Sequence, residues 1–378
     1  MPDTRLVRAF LEPHHAPLAD RVSAFALGEV AARPEPADDA AARVEARALL
    51  RLLGVRGWLK PIFSLDLRSC CLVREALGEA SPLADAVFAL QALGTTPIVL
   101  NGSAAQKQRW LEPIAEGKVM TAFAMTEPEA GSDVASIATS ARRDGSGYVL
   151  NGTKTLISNA GIADLYTVFA TTDPKRGPKG ISCFLVPADA PGLRFVGPLV
   201  LSAPHPLGEI AFENCRIPAE ALLGEEGRGF GIGLAALDRL RPTVAAAACG
   251  MAARALAESL AHVKERRQFG KPLAEFQLVQ QKLARMATDL TAARLLVYRA
   301  AYEKDQGQDR ITSEAAMAKA FATEMAQRAV DDAVQLIGGR GVLANHPVDR
   351  LYRAVRALRI YEGTTEIQQL IIAGELLK

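Results

Sequence analysis

The apolar residues of this 378-residue chain change period twice, and any fold it adopts has to accommodate both changes. Up to about residue 118 the spacing is helical. Ala42, Ala46, Leu49, Leu50 and Leu53 recur at the 3.6-residue period after Asp38-Asp39, a helix start, and Gly54 stands where the pattern stops. A second helix is expected after Leu65. The uncharged stretch 86–106 reads as a third, buried helix, because Gln91, Thr95, Thr96, Pro97, Asn101 and Ser103 make it too polar and too broken for a membrane span.

From Thr121 the pattern becomes short β-branched and aromatic runs between Gly, Pro and Asn, as in a compact all-β unit. Residues 148–150, then Asn151-Gly152, then 153–157 predict a hairpin, since Asn-Gly accepts the positive φ angles of a type I′ turn. Further strands are expected at 165–171, 181–186 and 209–212, with the unit ending near Gly224, Gly227, Gly229 and Gly231. Beyond Phe230 the helical period returns. Pro242 suits the first turn of a long Ala-rich helix, and Val279, Leu283, Met286, Leu290, Ala293, Val297 and Ala300 trace the seam of an antiparallel bundle. A helix over 313–337 presents Met317, Phe321 and Met325 on one side, and Thr365-x-x-Gln368 offers a capping box for a last helix ending near Leu377. The expected fold class is α+β multidomain: an N-terminal α-helical domain (1–119), a central β-barrel or sandwich domain (120–227) and a C-terminal four-helix bundle (228–378).

Composition removes several functions. Lys+Arg 44 against Asp+Glu 42 leaves a net charge of +2, which gives no global steering toward nucleic acid. The five cysteines, at 70, 71, 183, 215 and 249, include no C-x-x-C pair, so neither a disulfide framework nor a zinc ribbon is expected. His14, His15, His205, His262 and His346 show no H-x-H or H-x-x-x-H spacing, so no protein-built metal site is expected. The first 18 residues lack the apolar core of a secretory signal, and a cytoplasmic location is the expectation. Gly339-x-Gly341-x-x-Ala344 imitates a dinucleotide fingerprint, with Glu362 about where a ribose acid would stand, but a helical segment leads into it rather than a strand.

Four segments carry more. These are the polar loop Ala124-Met125-Thr126-Glu127-Pro128-Glu129-Ala130-Gly131-Ser132-Asp133; Arg266-Arg267-Gln268-Phe269-Gly270 with Gln277; Gln335-Leu336-Ile337-Gly338-Gly339-Arg340-Gly341; and Ile360-Tyr361-Glu362-Gly363-Thr364-Thr365-Glu366-Ile367-Gln368. Together they strongly resemble the acyl-CoA dehydrogenase family of flavoproteins, over essentially the whole chain and in the same domain order.

The resemblance implies FAD as cofactor and an acyl-CoA thioester as substrate. Glu362 matches the family's base, which takes the α-proton while the β-hydrogen leaves as hydride to flavin N5; desolvation would give such a carboxylate the basicity the step needs. Tyr361 and Gly363 would flank Glu362 on the substrate side, the glycine letting the backbone approach the thioester closely. Some relatives place the base at the position of Leu240, which cannot accept a proton here. Asp238 and Arg241 match positions that contact CoA. Phe123, Met125, Thr126, Ser132 and Ile157 match the flavin region, with Ser132 also reaching substrate, and Ser158 stands where the family has a threonine whose hydroxyl reaches N5. Arg266, Phe269 and Gln277 match residues that hold the adenine-diphosphate half across a subunit interface, with Gln335 and Gly339 beside them and Thr364 and Glu366 completing the cofactor set.

Two positions depart from the family. Leu156 replaces a tryptophan that covers the flavin face away from substrate, and Ala354 replaces an acidic structural partner. Arg350, Arg353, Arg356 and Arg359, three apart, read as a solvated face. The resemblance further implies electron-transfer flavoprotein as partner and a homo-oligomer, a tetramer built as a dimer of dimers. The alternatives are an acyl-CoA oxidase, and a flavin-carrying DNA-protective or scaffold relative without turnover, which the retention of Glu362 and the near-neutral charge oppose.

Overall fold

The computed structural model describes all 378 residues. Its elements, in chain order, begin with α1 (His15–Phe25), α2 (Asp39–Val55), α3 (Lys60–Ser64), α4 (Leu67–Ala80), α5 (Pro82–Asn101) and α6 (Ala104–Ala115). The strands β1 (Thr121–Ala124), β2 (Ser140–Asp144), β3 (Gly147–Ser158), β4 (Leu165–Thr171), β5 (Ile181–Pro187), β6 (Leu193–Pro198), β7 (Leu207–Pro218) and β8 (Leu222–Leu223) follow. Then come α7 (Gly229–Glu265), a small hairpin of β9 (Arg267–Gln268) and β10 (Lys271–Pro272), α8 (Gln277–Asp305), α9 (Thr312–Ile337), α10 (Pro347–Leu358) and α11 (Thr365–Leu376). Two compact units result: a helical unit of Met1–Pro34, Asp66–Asp85 and Asp238–Lys378, and a sheet unit of Glu35–Leu65 and Ala86–Leu237.

In the helical unit the heptad run is a core seam. Met286, Leu290, Ala293, Val297 and Ala300 of α8 are buried against α9, with Val279 and Leu283 packed at the edge. Small residues let α4 and α7 approach backbone to backbone: a Cβ on Gly250 would lie 2.1 Å from the Glu75 carbonyl oxygen, and one on Gly78 2.8 Å from that of Ala247. Glu75 is fully buried there, accepting from Arg294 Nε at 2.7 Å and Tyr298 Oη at 2.9 Å.

The sheet unit is built on the strand order β6-β7-β3-β2-β4-β5-β8, with β1 parallel to β4. Every residue of β4 is buried, as a central strand covered on both faces requires. Most polar groups of α5 have partners: Gln91 donates to Val119 O at 2.7 Å and accepts from Thr121 N at 3.0 Å, Thr96 Oγ1 donates to Ala92 O at 2.8 Å, and Gly94 O accepts from Thr167 Oγ1 at 2.8 Å, whereas the Thr95 hydroxyl is buried without one. By length and composition α5 could cross a membrane, yet 78% of its apolar window is buried within the protein.

Three local expectations fail for one reason, the pull of remote packing. Asn151-Gly152 is not a turn: it lies inside β3 at a register shift against β7, and the chain reverses at Gly145 and Ser146 instead. Pairing with β7, distant in sequence, keeps β3 extended through the Asn-Gly pair. Pro242 does not open α7, which begins at Gly229. The glycines of that first turn serve close approach, since a Cβ on Gly229 would meet Ser182 C at 2.2 Å and one on Gly233 would meet Met125 Cε at 2.4 Å. Likewise Gly54 lies within α2, its missing side chain making room for the Glu116 carbonyl. At α2 the cap expectation holds: Asp38 accepts from Ala41 N at 2.8 Å. The last helix is capped one residue earlier than expected, by Thr364, whose hydroxyl accepts from Ile367 N at 3.3 Å.

Candidate active site

In the helical unit the turn between α10 and α11 puts Glu362 in left-handed backbone conformation, φ 54°, followed by Gly363 at φ 89°. A non-glycine residue there is strained by about 1–2 kcal/mol, so the surroundings must over-determine it. They do. Lys319 of α9, with no exposed surface, donates to Gly363 O at 2.7 Å, and fully buried Gln368 donates to Glu362 O at 3.2 Å and Gly363 O at 3.0 Å. Glu324 of α9 accepts from Arg359 Nε and from Thr365 Oγ1, both at 2.7 Å, tying down the two ends of the turn. The backbone carrying Glu362 is therefore held from α9 and α11, leaving the side chain uncommitted.

Glu362 is half-buried and its Oε2 has no hydrogen-bond partner. Burial raises its pKa, and Asp85 pushes the same way; Arg74, Arg241 and Lys319 pull against it. Arg74 is itself almost wholly buried, gripping Asp85 at 2.7 and 2.8 Å and Thr243 Oγ1 at 2.9 Å. A carboxylate made more basic by desolvation, yet ringed by fixed cations, suits proton abstraction next to a carbonyl. Arg241 and Asp238 form an ion pair one turn apart on α7, and Asp238 also accepts from Thr312 Oγ1 at 2.8 Å. With Arg241 5% exposed, this is a buried cation and no surface pair.

The remaining expected residues of this unit are accessible. Tyr361 and Glu366 are exposed and Gly363 and Thr364 half-buried around the same turn. Phe269 is 93% exposed at the tip of the β9–β10 hairpin, where it and Gly270 both have positive φ. Arg266, Gln277, Gln335 and Gly339 are exposed as well. Burial lowers the pKa of His262, and the charges of Arg266, Arg340 and His346 lower it further. The Arg266 and Arg340 guanidiniums are positive charges suited to a diphosphate.

In the sheet unit, Phe123 lies on β1 with its ring 4.8 Å from Phe169, and Met125 is buried. Thr126 is half-buried and its carbonyl accepts from Thr155 N at 3.0 Å, joining this loop to β3. The loop has an internal strut. Lys154, with no exposed surface, donates to Met125 O at 2.9 Å and Glu127 Oε1 at 2.7 Å, while the Glu127 carboxylate accepts from Ala138 N and Thr139 N. Burial lowers the Lys154 pKa to about 8 despite the carboxylate beside it. Ser132 is exposed at the loop tip. Ile157 is buried, Ser158 half-buried at the end of β3, and Leu156 is 56% exposed at φ 54°.

Sequence reasoning gave no role to Lys319, Arg74, Lys154 and His205, which on a single chain look like ordinary surface or core residues, and it read Gln368 only as a capping-box residue and Arg340 only as part of a motif. It also passed over the approach of His14, His15 and Asp66 to within 4.8 Å of one another. That group is internally satisfied: Asp66 caps α4, accepting from Ser69 N at 2.9 Å, and His15 Nδ1 accepts from Glu12 N at 2.9 Å.

Residues 12–118, 122–215 and 227–377 match, in order, the family descriptions Acyl-CoA dehydrogenase N-terminal domain, middle domain and C-terminal domain. The 3-(aryl)acrylate reductase of Clostridium sporogenes is 43% identical over 316 residues, covering 83% of this chain and 84% of that protein. The mitochondrial short-chain specific acyl-CoA dehydrogenase of Mus musculus is 45% identical over 285 residues, 75% of this chain and 69% of that one. Among solved structures, butyryl-CoA dehydrogenase from Megasphaera elsdenii superposes with a TM-score of 0.91 at 34% identity, over 97% of this chain and 99% of that chain.

Proposed function

Because this chain belongs to the acyl-CoA dehydrogenase family, and so is an FAD-binding oxidoreductase acting on acyl-CoA, we propose that it desaturates an acyl-CoA between Cα and Cβ with Glu362 as base. The observation that carries this reading is the Glu362 carboxylate: raised pKa, an Oε2 without partner, and a backbone pinned by Lys319 and Gln368.

The residues present fit the cofactor. Ser158 offers a hydroxyl, Arg266 and Arg340 offer charge for a diphosphate, and the exposed Phe269 ring offers a face for an adenine. When bound, the flavin supplies the acceptor for the two electrons that leave Cβ as hydride. The chain does the rest. Glu362 takes the proton from Cα, whose bonding pair becomes the new π bond as the hydride departs. Arg74, Arg241 and Lys319 favour the ionised base before the step, and desolvation favours the acid after it. Arg241 and Asp238 hold the polar CoA portion. The same base, once protonated, serves the reverse addition across a Cα–Cβ double bond, the sense in which a relative named for acrylate reduction works.

In this reading the electrons pass on to an electron-transfer flavoprotein, and the protein assembles as a homo-oligomer in which Arg266, Phe269 and Gln277 serve a neighbouring subunit's FAD. The oxidase alternative is favoured by one feature, the small Leu156 in place of an indole over the flavin. The test is anaerobic addition of acyl-CoA to the holoprotein, followed by admission of air. Bleaching of the flavin by acyl-CoA supports the dehydrogenation, and slow reoxidation supports a protein partner over oxygen; no bleaching by straight, branched or cyclic acyl-CoA defeats the reading.

A further inference from the structure

Ser158 and His205 meet where β3 ends and β7 begins. Ser158 pairs in register with Leu207, and Asn159 N donates to Pro206 O at 2.9 Å. From α2, Arg43 clamps the same junction, donating to Ala160 O at 2.6 Å and Leu207 O at 2.7 Å while paired with Asp39 at 2.6 Å. These contacts fix His205 with Nε2 2.8 Å from Ser158 Oγ. The other ring nitrogen, Nδ1, is buried and has no partner.

The protonation of this ring follows from its surroundings. Burial lowers its pKa to about 4; the charged groups beside it are Asp39, which opposes the shift, and Arg43, which adds to it. At neutral pH the imidazole therefore carries one N–H. A buried N–H with no acceptor is costlier than a bare acceptor nitrogen, so Nδ1 is the unprotonated one. Nε2–H then donates to Ser158 Oγ, and the Ser158 hydroxyl keeps its own proton for another acceptor.

We infer that His205 is a positioning residue: by donating from Nε2 to Ser158 Oγ it holds the Ser158 hydroxyl as a hydrogen-bond donor aimed at the bound flavin. This rests on the assignment of Ser158 to the flavin made above. Without His205 the hydroxyl rotates freely and competes with itself as donor and acceptor. A glutamine keeps an N–H at a similar reach; a leucine keeps bulk alone.

Two measurements test this. The first is ¹⁵N NMR of histidine-labelled wild-type holoprotein and apoprotein at neutral pH. The Nε2–H tautomer is expected for His205, and an Nδ1–H tautomer overturns the proposal. The second compares the visible spectrum, the oxidised-to-reduced equilibrium and the FAD dissociation constant of the wild type, His205→Leu, His205→Gln, Ser158→Ala and the His205→Leu/Ser158→Ala pair. His205→Leu is expected to alter the flavin band and to shift the redox equilibrium and FAD affinity by about fivefold, the equivalent of one hydrogen bond. His205→Gln should restore both, and His205→Leu should add nothing once Ser158 is alanine. A His205→Leu protein with wild-type spectrum and equilibrium, or with an equal shift in the alanine background, overturns the proposal. Wild-type flavin that acyl-CoA cannot bleach defeats the proposed reaction instead, and leaves the tautomer and spectral results to decide on His205.

Discussion

Lys319 Nζ donates to the carbonyl oxygen of Gly363 at 2.7 Å from a position with no exposed surface, one residue along from the carboxylate proposed as base. It is strut and cation at once, for its charge also lowers the Glu362 pKa. Lys319→Met should therefore act in two ways. The turn loosens, slowing flavin bleaching by about tenfold or more, and loss of the cation raises the Glu362 pKa. Since the base must be ionised, the pH at which bleaching reaches half its maximal rate should move upward. A pH profile of anaerobic bleaching reads both effects; an unchanged midpoint would show that Lys319 does not face the base electrostatically.

The Lys154–Glu127 pair makes a stability prediction. Removing the ammonium in Lys154→Met leaves a buried carboxylate with only backbone N–H partners, which costs about 3–5 kcal/mol. The loop carrying Thr126 and Ser132 should lose its anchor on β3 with it. Thermal unfolding should show the loss and fluorescence titration a weaker affinity for FAD. Full stability with full FAD content would mean that the backbone contacts suffice.

Arg266 is exposed on the helical unit and is one of the positive charges around His262. If it serves a neighbouring subunit's FAD, Arg266→Ala removes charge-assisted bonds to the diphosphate. The variant should purify with a low flavin-to-protein absorbance ratio and, by light scattering, with a loosened assembly that added FAD tightens. A wild-type protein that is a fully active monomer would contradict the arrangement.

Leu156 holds a positive φ that costs a leucine about 1–2 kcal/mol, in a position where the resemblance implies a tryptophan. An indole buries far more area than an isobutyl group and stacks on an aromatic system. Leu156→Trp should accordingly slow the reoxidation of dithionite-reduced enzyme in air, as measured by stopped flow without product bound. A folded, FAD-replete variant that reoxidises at the natural rate would make the substitution a packing variant only.

What could be read from the chain was whatever is periodic or motif-bound. The limits of β4 at Leu165–Thr171 follow from its apolar run between Asp164 and Thr172, and those of α9 from a long uninterrupted period. Glu362 was found because its neighbours form a dense motif. Its left-handed backbone was not, because strain of that kind is imposed by Lys319, whose place on α9 carries no local signal, and by Gln368, whose local signal is that of a capping box while its amide donates to the Glu362 and Gly363 carbonyls. The same holds for Asn151-Gly152, a turn signal overruled by β7, and for Gly229 and Gly233, whose glycine character answers to Ser182 and Met125 rather than to a turn. Lys154 alternates in β3 like any solvent-facing lysine; only the distant Glu127 explains its burial.

If Glu362 takes the α-proton, a Glu362→Gln variant loses that step and little else. Glutamine keeps the shape and lacks the basic oxygen. Because burial raises the carboxyl pKa, the folded state holds this proton more tightly than the unfolded chain; the charged form costs stability as pH rises through that raised pKa. The variant should therefore fold and keep its FAD, at neutral pH with no loss of thermal stability. Mixed anaerobically in stopped flow with an acyl-CoA that bleaches the wild type, it should bleach about 10²–10⁴ times more slowly. Bleaching at the wild-type rate by a folded, FAD-replete Glu362→Gln protein would contradict the account and move the base elsewhere.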